Sequence, residues 1–209
     1  MNIQAKIIAA LLIAATLLCG QAFGQKFILG IKTGADFDQT SGSNLNSNFN
    51  GYFVAGAYTG LRVNKVKFQV EALFGQSRVT TNDNFINAYG DYVSANANTI
   101  KNGTFKINEL HMPVILGFNI IPKLLWLHIG PQYSGVVSID DVDGFLKDGK
   151  KVFKSGYLSG LAGLELQLPF NLNIGARYIV GISDRNNTNV PDTWRTNHIQ
   201  AHIGFSFLK

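Results

Sequence analysis

The sequence predicts an all-β protein, an eight-stranded antiparallel up-and-down transmembrane β-barrel. Three observations carry this. From Lys26 onward, apolar and polar residues alternate with the period of two that puts successive side chains on opposite faces of a strand. The alternation breaks at four long polar segments, 38–50, 78–104, 138–154 and 184–193. Between them lie three tight turns, Asn64-Lys65, Ile121-Pro122-Lys123 and Pro169-Phe170-Asn171. Long and short connections therefore follow one another in strict turn, as in outer-membrane barrels, whose one rim carries short periplasmic turns and whose other rim carries extended external loops. Seven connections join eight strands, and an even number puts both termini on the periplasmic side.

The first element is a leader. Lys6 precedes an apolar run over 7–18, too short to span a bilayer of roughly 30 Å as a helix, and Ala22-Phe23-Gly24 supplies small residues where a signal peptidase reads them. Residues 1–24 are expected to be a signal peptide and 25–209 the barrel domain. Cys19 follows Leu18 rather than the small residue a lipoprotein signal needs, so cleavage leaves a mature chain without cysteine, disulfide or thiolate metal site. The formal charge of +5 falls to +4 once Lys6 is gone, 17 cations against 13 anions. That excess is small and dispersed, which argues against nucleic acid as a partner. No later run reaches the 18 apolar residues of a membrane helix, so the chain crosses by strands, and strands cross only as a closed barrel.

Strands are predicted in order at 27–37, 51–63, 66–77, 105–120, 124–137, 156–168, 172–183 and 198–207. Parity assigns their faces. In the third strand Val66, Phe68, Val70, Ala72 and Phe74 oppose Lys67, Gln69, Glu71, Leu73, Gly75 and Ser77. In the last, Ile199, Ala201, Ile203, Phe205 and Phe207 oppose His198, Gln200, His202, Gly204 and Ser206. One face suits lipid and the other a polar lumen. A soluble sandwich or lipocalin-like barrel would also alternate, but only 15% of residues are charged, and the polar faces are rich in Gly, Ser, Asn and Gln.

Parity also places the charges. Glu71, Glu109 and Glu165 fall inward with Lys32, Asp36, Arg62, Lys67 and Arg177, and so do His111, His128, His198 and His202. Unpaired charges in a narrow lumen would be strongly destabilising, so these groups are expected to pair into a structural polar network that plugs the barrel. A proton or solute path is the functional alternative. His198 and His202 lie about 13 Å apart on a strand, too far to share a metal ion, and are expected to be hydrogen-bonded lumen residues.

In the loops, Asp140-Asp141-Val142-Asp143-Gly144 has part of a calcium-loop pattern, but an EF-hand register with Gly144 sixth would place Ile139 and Lys150 at ligand positions. A solvated acidic turn is expected instead. Segment 78–104 carries Phe85, Ile86, Tyr89, Tyr92 and Val93, which either fold over the barrel mouth or contact a partner. No G-x-S-x-G frames any serine, and an acyl-transfer role would need His198 near a rim with Ser183, Asp184 or Asp192 in reach. No catalytic residue, metal site or cofactor is assigned.

Several stretches resemble the PorT-like outer-membrane β-barrel family common in Bacteroidetes. Gly30-Ile31-Lys32-Thr33-Gly34 is similar to the G-x-K-x-G of its first strand, Glu109-Leu110-His111-Met112-Pro113 to its L-E-I-P stretch, and Gly130-Pro131 to its G-P-x motif. Ser159–Leu166, Asn173–Tyr178 and the aromatic-ended Gly204-Phe205-Ser206-Phe207 look like its later strands. The Glu-Leu-His-Met-Pro order and the extra Leu208-Lys209 depart from the family pattern. The resemblance implies a monomeric outer-membrane barrel of a Gram-negative bacterium, touching outer-membrane lipid and lipopolysaccharide and delivered by the barrel-assembly machinery. Its role would be structural or binding, through loops 78–104 and 138–154 toward an extracellular or secretion partner. An accessory role in protein secretion or transport is the first alternative, and a lipid A-modifying enzyme the second.

Overall fold

The structure, a computed structural model, describes residues 25–94 and 102–208; the expected signal peptide, 1–24, lies outside the described residues. Among the described residues nine strands form: β1 (Gln25–Ser41), β2 (Leu45–Asn46), β3 (Asn50–Val63), β4 (Val66–Thr81), β5 (Thr104–Ile121), β6 (Leu125–Asp141), β7 (Gly156–Gln167), β8 (Leu172–Gly181) and β9 (Arg195–Leu208). Eight of them close a ring in the order β4-β3-β1-β9-β8-β7-β6-β5, with β5 returning to β4. Every pairing is antiparallel. β2 adds two rungs to the long-loop end of β4. Closure leaves no edge strand, and the ring of antiparallel neighbours is the predicted up-and-down barrel.

The tight turns form where predicted, and left-handed backbone makes them. Asn64 has φ 52° and Lys123 φ 64°. Phe170 and Asn171 have φ 58° and 60°, and the Leu172 amide donates to the Pro169 carbonyl, a type I′-like reversal that suits the twist of the flanking strands. These turns lie at one end, together with Gln25 and Leu208, the first and last described residues.

The long-loop end differs from expectation, because the strands run further. β1 continues past 38 to Ser41, β4 past 78 to Thr81, and β6 past 138 to Asp141; β9 begins at Arg195 rather than 198. β5 reaches 18 residues, about 60 Å at ~3.3 Å per residue, whereas about 9–11 tilted residues cross a bilayer. Ladder hydrogen bonds need no apolar face, so strands persist after the hydrophobic pattern stops.

The two faces match the parity assignment. Outside, Phe68, Val70, Phe74, Val114, Leu116, Ile129, Ile174, Val180 and Ile203 are exposed in a continuous apolar belt. Inside, charged and polar side chains are buried. A soluble barrel or sandwich would reverse this arrangement.

Prolines interrupt two adjacent seams: Pro131 lies in the β5–β6 ladder where the rungs of Val114 and Ile115 are missing, and Pro113 in the β4–β5 ladder. The β4–β5 ladder pairs Val70 with Val114 and Leu73 with His111, but the two rungs between them are missing. Proline lacks the amide proton such a rung needs.

Candidate functional site

Two structures occupy the barrel axis: a charged lumen and, above it, a cap folded from the long loops.

The lumen is organised by carboxylates. Glu71, fully buried on β4, accepts from Lys32 Nζ on β1 at 2.6 Å, from Gln69 Nε2 at 2.7 Å and from Arg177 Nη1 on β8 at 2.8 Å. β8 lies diametrically across the ring from β4, so the Arg177 bond spans the barrel. Glu165 on β7 accepts from Lys67 Nζ at 2.8 Å, with Lys32, His202 and His128 at 3.6, 3.6 and 3.8 Å. Higher up, Glu109 takes the guanidinium of Arg185 and the Tyr157 hydroxyl, the latter at 3.0 Å. His198 bridges Asp36 Oδ2 at 3.2 Å and the Tyr157 oxygen at 3.1 Å, while His111 bonds Ser134 at 2.9 Å. Near the turn end, Tyr58 joins Ser206 and Asn173 across a cavity of about 10 Å³, the room of a single water. Inward glycines make space for the rings: a Cβ on Gly175 would sit 2.5 Å from His202 Nε2, and one on Gly75 2.9 Å from His111 Nε2.

Of the ten residues assigned to the polar network, nine are buried in the lumen: Lys32, Asp36, Lys67, Glu71, Glu109, Glu165, Arg177, His198 and His202. Arg62 departs from the expectation. It is half-buried at the turn-end rim, 3.4 Å from Gln167 Oε1 and outside the ion pairs, because it lies beside the Asn64 turn where the lumen opens. Sequence reasoning missed Asp38, Tyr157 and Arg185. Asp38 and Tyr157 share the inward parity; Tyr157 already lay in the predicted strand 156–168, and Asp38 would have followed from a longer first strand. Arg185 belongs to a loop, where parity says nothing. Both Asp38 oxygens are buried with no hydrogen-bond partner among the described residues.

The cap joins all four loops around Trp194. Phe85 and Tyr89, in a short helix Phe85–Tyr89, stack at 4.2 Å; Tyr89 and Phe153 approach the Trp194 ring at 5.5 and 5.3 Å. Leu45, Val93, Phe105, Phe145 and Val152 complete this apolar core. Asp192 ties it together, accepting from Ser43 N, Asn44 Nδ2, Tyr89 Oη and Trp194 Nε1 at 3.0 to 3.2 Å. Arg185 links cap to lumen. Its guanidinium lies 4.4 Å over the Tyr157 ring, and it donates to Thr196 Oγ1 at 2.7 Å as well as to Glu109.

The acidic turn is a capping device. Asp141 accepts the Leu146 amide at 2.7 Å and Asp143 the Thr104 amide at 3.0 Å. No group of three metal-ligating side chains comes together among the described residues. Nor does His198 meet the acyl-transfer geometry: its partners are Asp36 and Tyr157 in the lumen, while Asp192 and Asp184 serve the cap.

No family model matches the chain, and no curated protein does. Solved structures do. The outer membrane protein OprG from Pseudomonas aeruginosa aligns over 88% of this chain and 96% of its own, at 12% identity and a TM-score of 0.51. The fold is that of an eight-stranded transmembrane β-barrel. Neisserial surface protein A aligns over 86% of this chain and 97% of its own at 18% identity, with a TM-score of 0.48. The attachment invasion locus protein Ail of Yersinia pestis, in complex with the heparin analogue sucrose octasulfate, aligns over 87% and 99% at 13% identity, with a TM-score of 0.47. At such identities the likeness concerns the fold.

Proposed function

We propose that this chain is a small outer-membrane barrel of a Gram-negative bacterium with a structural or binding role, whose lumen is plugged and whose loops form a rigid external platform. The observation that carries it is the pairing of an exposed apolar belt with an interior crossed by buried ion pairs. Solute passage would have to break those pairs, each at the cost of a buried charge left uncompensated. Gln25 and Leu208 lie at the short-turn end, which the reading places in the periplasm. Partners then meet the outer surface of the cap in 78–94 and 138–154, since Phe85, Tyr89, Val93 and Phe145 are occupied with one another.

Cell fractionation tests location. The mature protein is expected in the outer-membrane fraction, migrating differently before and after boiling, and recovery as a soluble periplasmic protein would overturn the reading. Planar-bilayer recordings test the plug, with conductance expected at baseline; steady open-channel currents would refute it. The PorT-like stretches Gly30–Gly34 and Glu109–Pro113 support a second reading, membership of that family with an accessory role in secretion. Loss of secreted cargo in a deletion strain would favour it, and an unchanged secretome would remove it.

A further inference from the structure

The charges of this barrel are sorted along its axis. All 13 Asp and Glu residues are described, and none lines the pocket at the short-turn rim. The acids deepest toward that end, Glu71 and Glu165, are already held by Lys32, Arg177 and Lys67. The rim itself carries Lys26, Arg62, Lys65 and Lys123, which converge with Asn64 and Trp126 on one pocket of about 320 Å³. None of these four cations is in a salt bridge among the described residues. Four like charges on one concavity repel one another unless an anion joins them.

A second, independent feature points the same way. Trp126 is 2% exposed, yet its indole N–H has no acceptor among the described residues. A buried donor without a partner costs about 1–3 kcal/mol, and in a pocket ringed by cations the complementary group is an anionic oxygen. The other tryptophan differs, since the Trp194 indole donates to Asp192. Beside the rim the outer face is apolar, with Val63, Val66, Phe118 and Ile121 exposed. An anion that arrives carrying hydrocarbon finds both halves of its surface matched here, whereas free phosphate finds one.

We propose that the short-turn rim binds the phosphate of an anionic phospholipid headgroup, held by Lys26, Arg62, Lys65 and Lys123 beside the Trp126 indole. The site rests on the proposed insertion into a bilayer, and it fixes the barrel's depth by gripping the leaflet the rim faces.

The test uses the mature barrel refolded in maltoside detergent, which contains no phosphate, with ¹⁵N-labelled tryptophan and the Trp126→Phe variant for assignment. Short-chain phosphatidylglycerol is expected to shift the Trp126 indole signal and leave Trp194 in place. In Arg62→Gln/Lys123→Gln the apparent affinity is expected to fall about 25-fold, at ~5-fold per cation. Phosphatidylcholine of the same chain length shifting the signal equally would overturn headgroup recognition. Inorganic phosphate acting as strongly as the lipid would replace the lipid by a free anion, and an unchanged affinity in the variant would discard these cations. Unheated gel mobility reports folding separately: failure of the unaltered chain to form a barrel refutes the membrane reading instead. Should the double variant misfold, Lys26→Gln/Lys65→Gln, altering two exposed side chains, gives the same comparison.

Discussion

Removing the Glu71 carboxylate is the most direct probe of the lumen. In Glu71→Ala, Arg177 loses its hydrogen-bonded carboxylate across the barrel, and two of its remaining guanidinium nitrogens already lack partners. Lys32 keeps only Glu165, at 3.6 Å, and Gln69 loses its acceptor. Breaking a buried pair by deleting one member costs about 3–5 kcal/mol, because the surviving charge stays desolvated. With a urea slope of ~3 kcal/mol per M, that moves the unfolding midpoint down by about 1 to 1.7 M. Equilibrium unfolding of the refolded barrel, followed by heat-modifiable gel mobility, supplies the measurement. Lys154→Ala is the internal comparison: its pair with Asp184 is 3.7 Å long with both side chains at least a third exposed, so at most about 1 kcal/mol is expected. Equal midpoints for the two variants would refute the reasoning, since Glu71 would then behave as a solvated group.

Three further outcomes are expected. Val70→Lys and Val180→Lys place a charge on the apolar belt and are each expected to cost roughly 2–4 kcal/mol of insertion stability, against little at exposed Asn187; equal tolerance at all three sites would mean that the belt does not meet lipid. Phe85→Ala is expected to remove about 3–5 kcal/mol from the cap while the barrel below keeps its unheated mobility, so trypsin cleaves the loops faster and leaves the strands intact. Burial pushes the Asp192 carboxyl up, but the donors from Ser43, Trp194, Asn44 and Tyr89 outweigh it and hold the group below its ordinary value. Its contribution is therefore present above about pH 4 and lost as pH falls through the lowered value, which Trp194 fluorescence follows; Asp192→Asn is expected to flatten that profile.

The barrel was legible in the sequence because its two faces meet opposite solvents. Val66 to Ser77 and Ile199 to Phe207 could be sorted residue by residue, and the inward charges they named are buried together. The reasoning stopped where solvent contrast stops. Beyond the belt both sides of a strand meet water or cap, so Ser41, Thr81 and Asp141 gave no sign that their strands continued. Arg62 was assigned by the same parity that found Lys67, but parity is blind to height, and at the rim an inward side chain meets the aqueous end of the lumen. The cap depended on contacts between four loops distant in sequence. Its aromatics were visible in 78–104, but nothing local paired Phe85 with Trp194 or sent Arg185 down to Glu109.

The missing rungs beside Pro113 have a mechanical consequence. A barrel wall behaves as a hoop, and a hoop cut at one place yields there when squeezed. Here the weakened height is that of Glu71, whose bonds run inward to β1 and across the diameter to β8. The neighbouring β5–β6 seam lacks the rungs of Val114 and Ile115 as well, so the spokes brace the wall where two adjacent seams are thinned. Ovalisation or widening at that height would stretch the spokes before it could open the seam, so the cross-section is set by side chains of the interior as much as by the ladder around it.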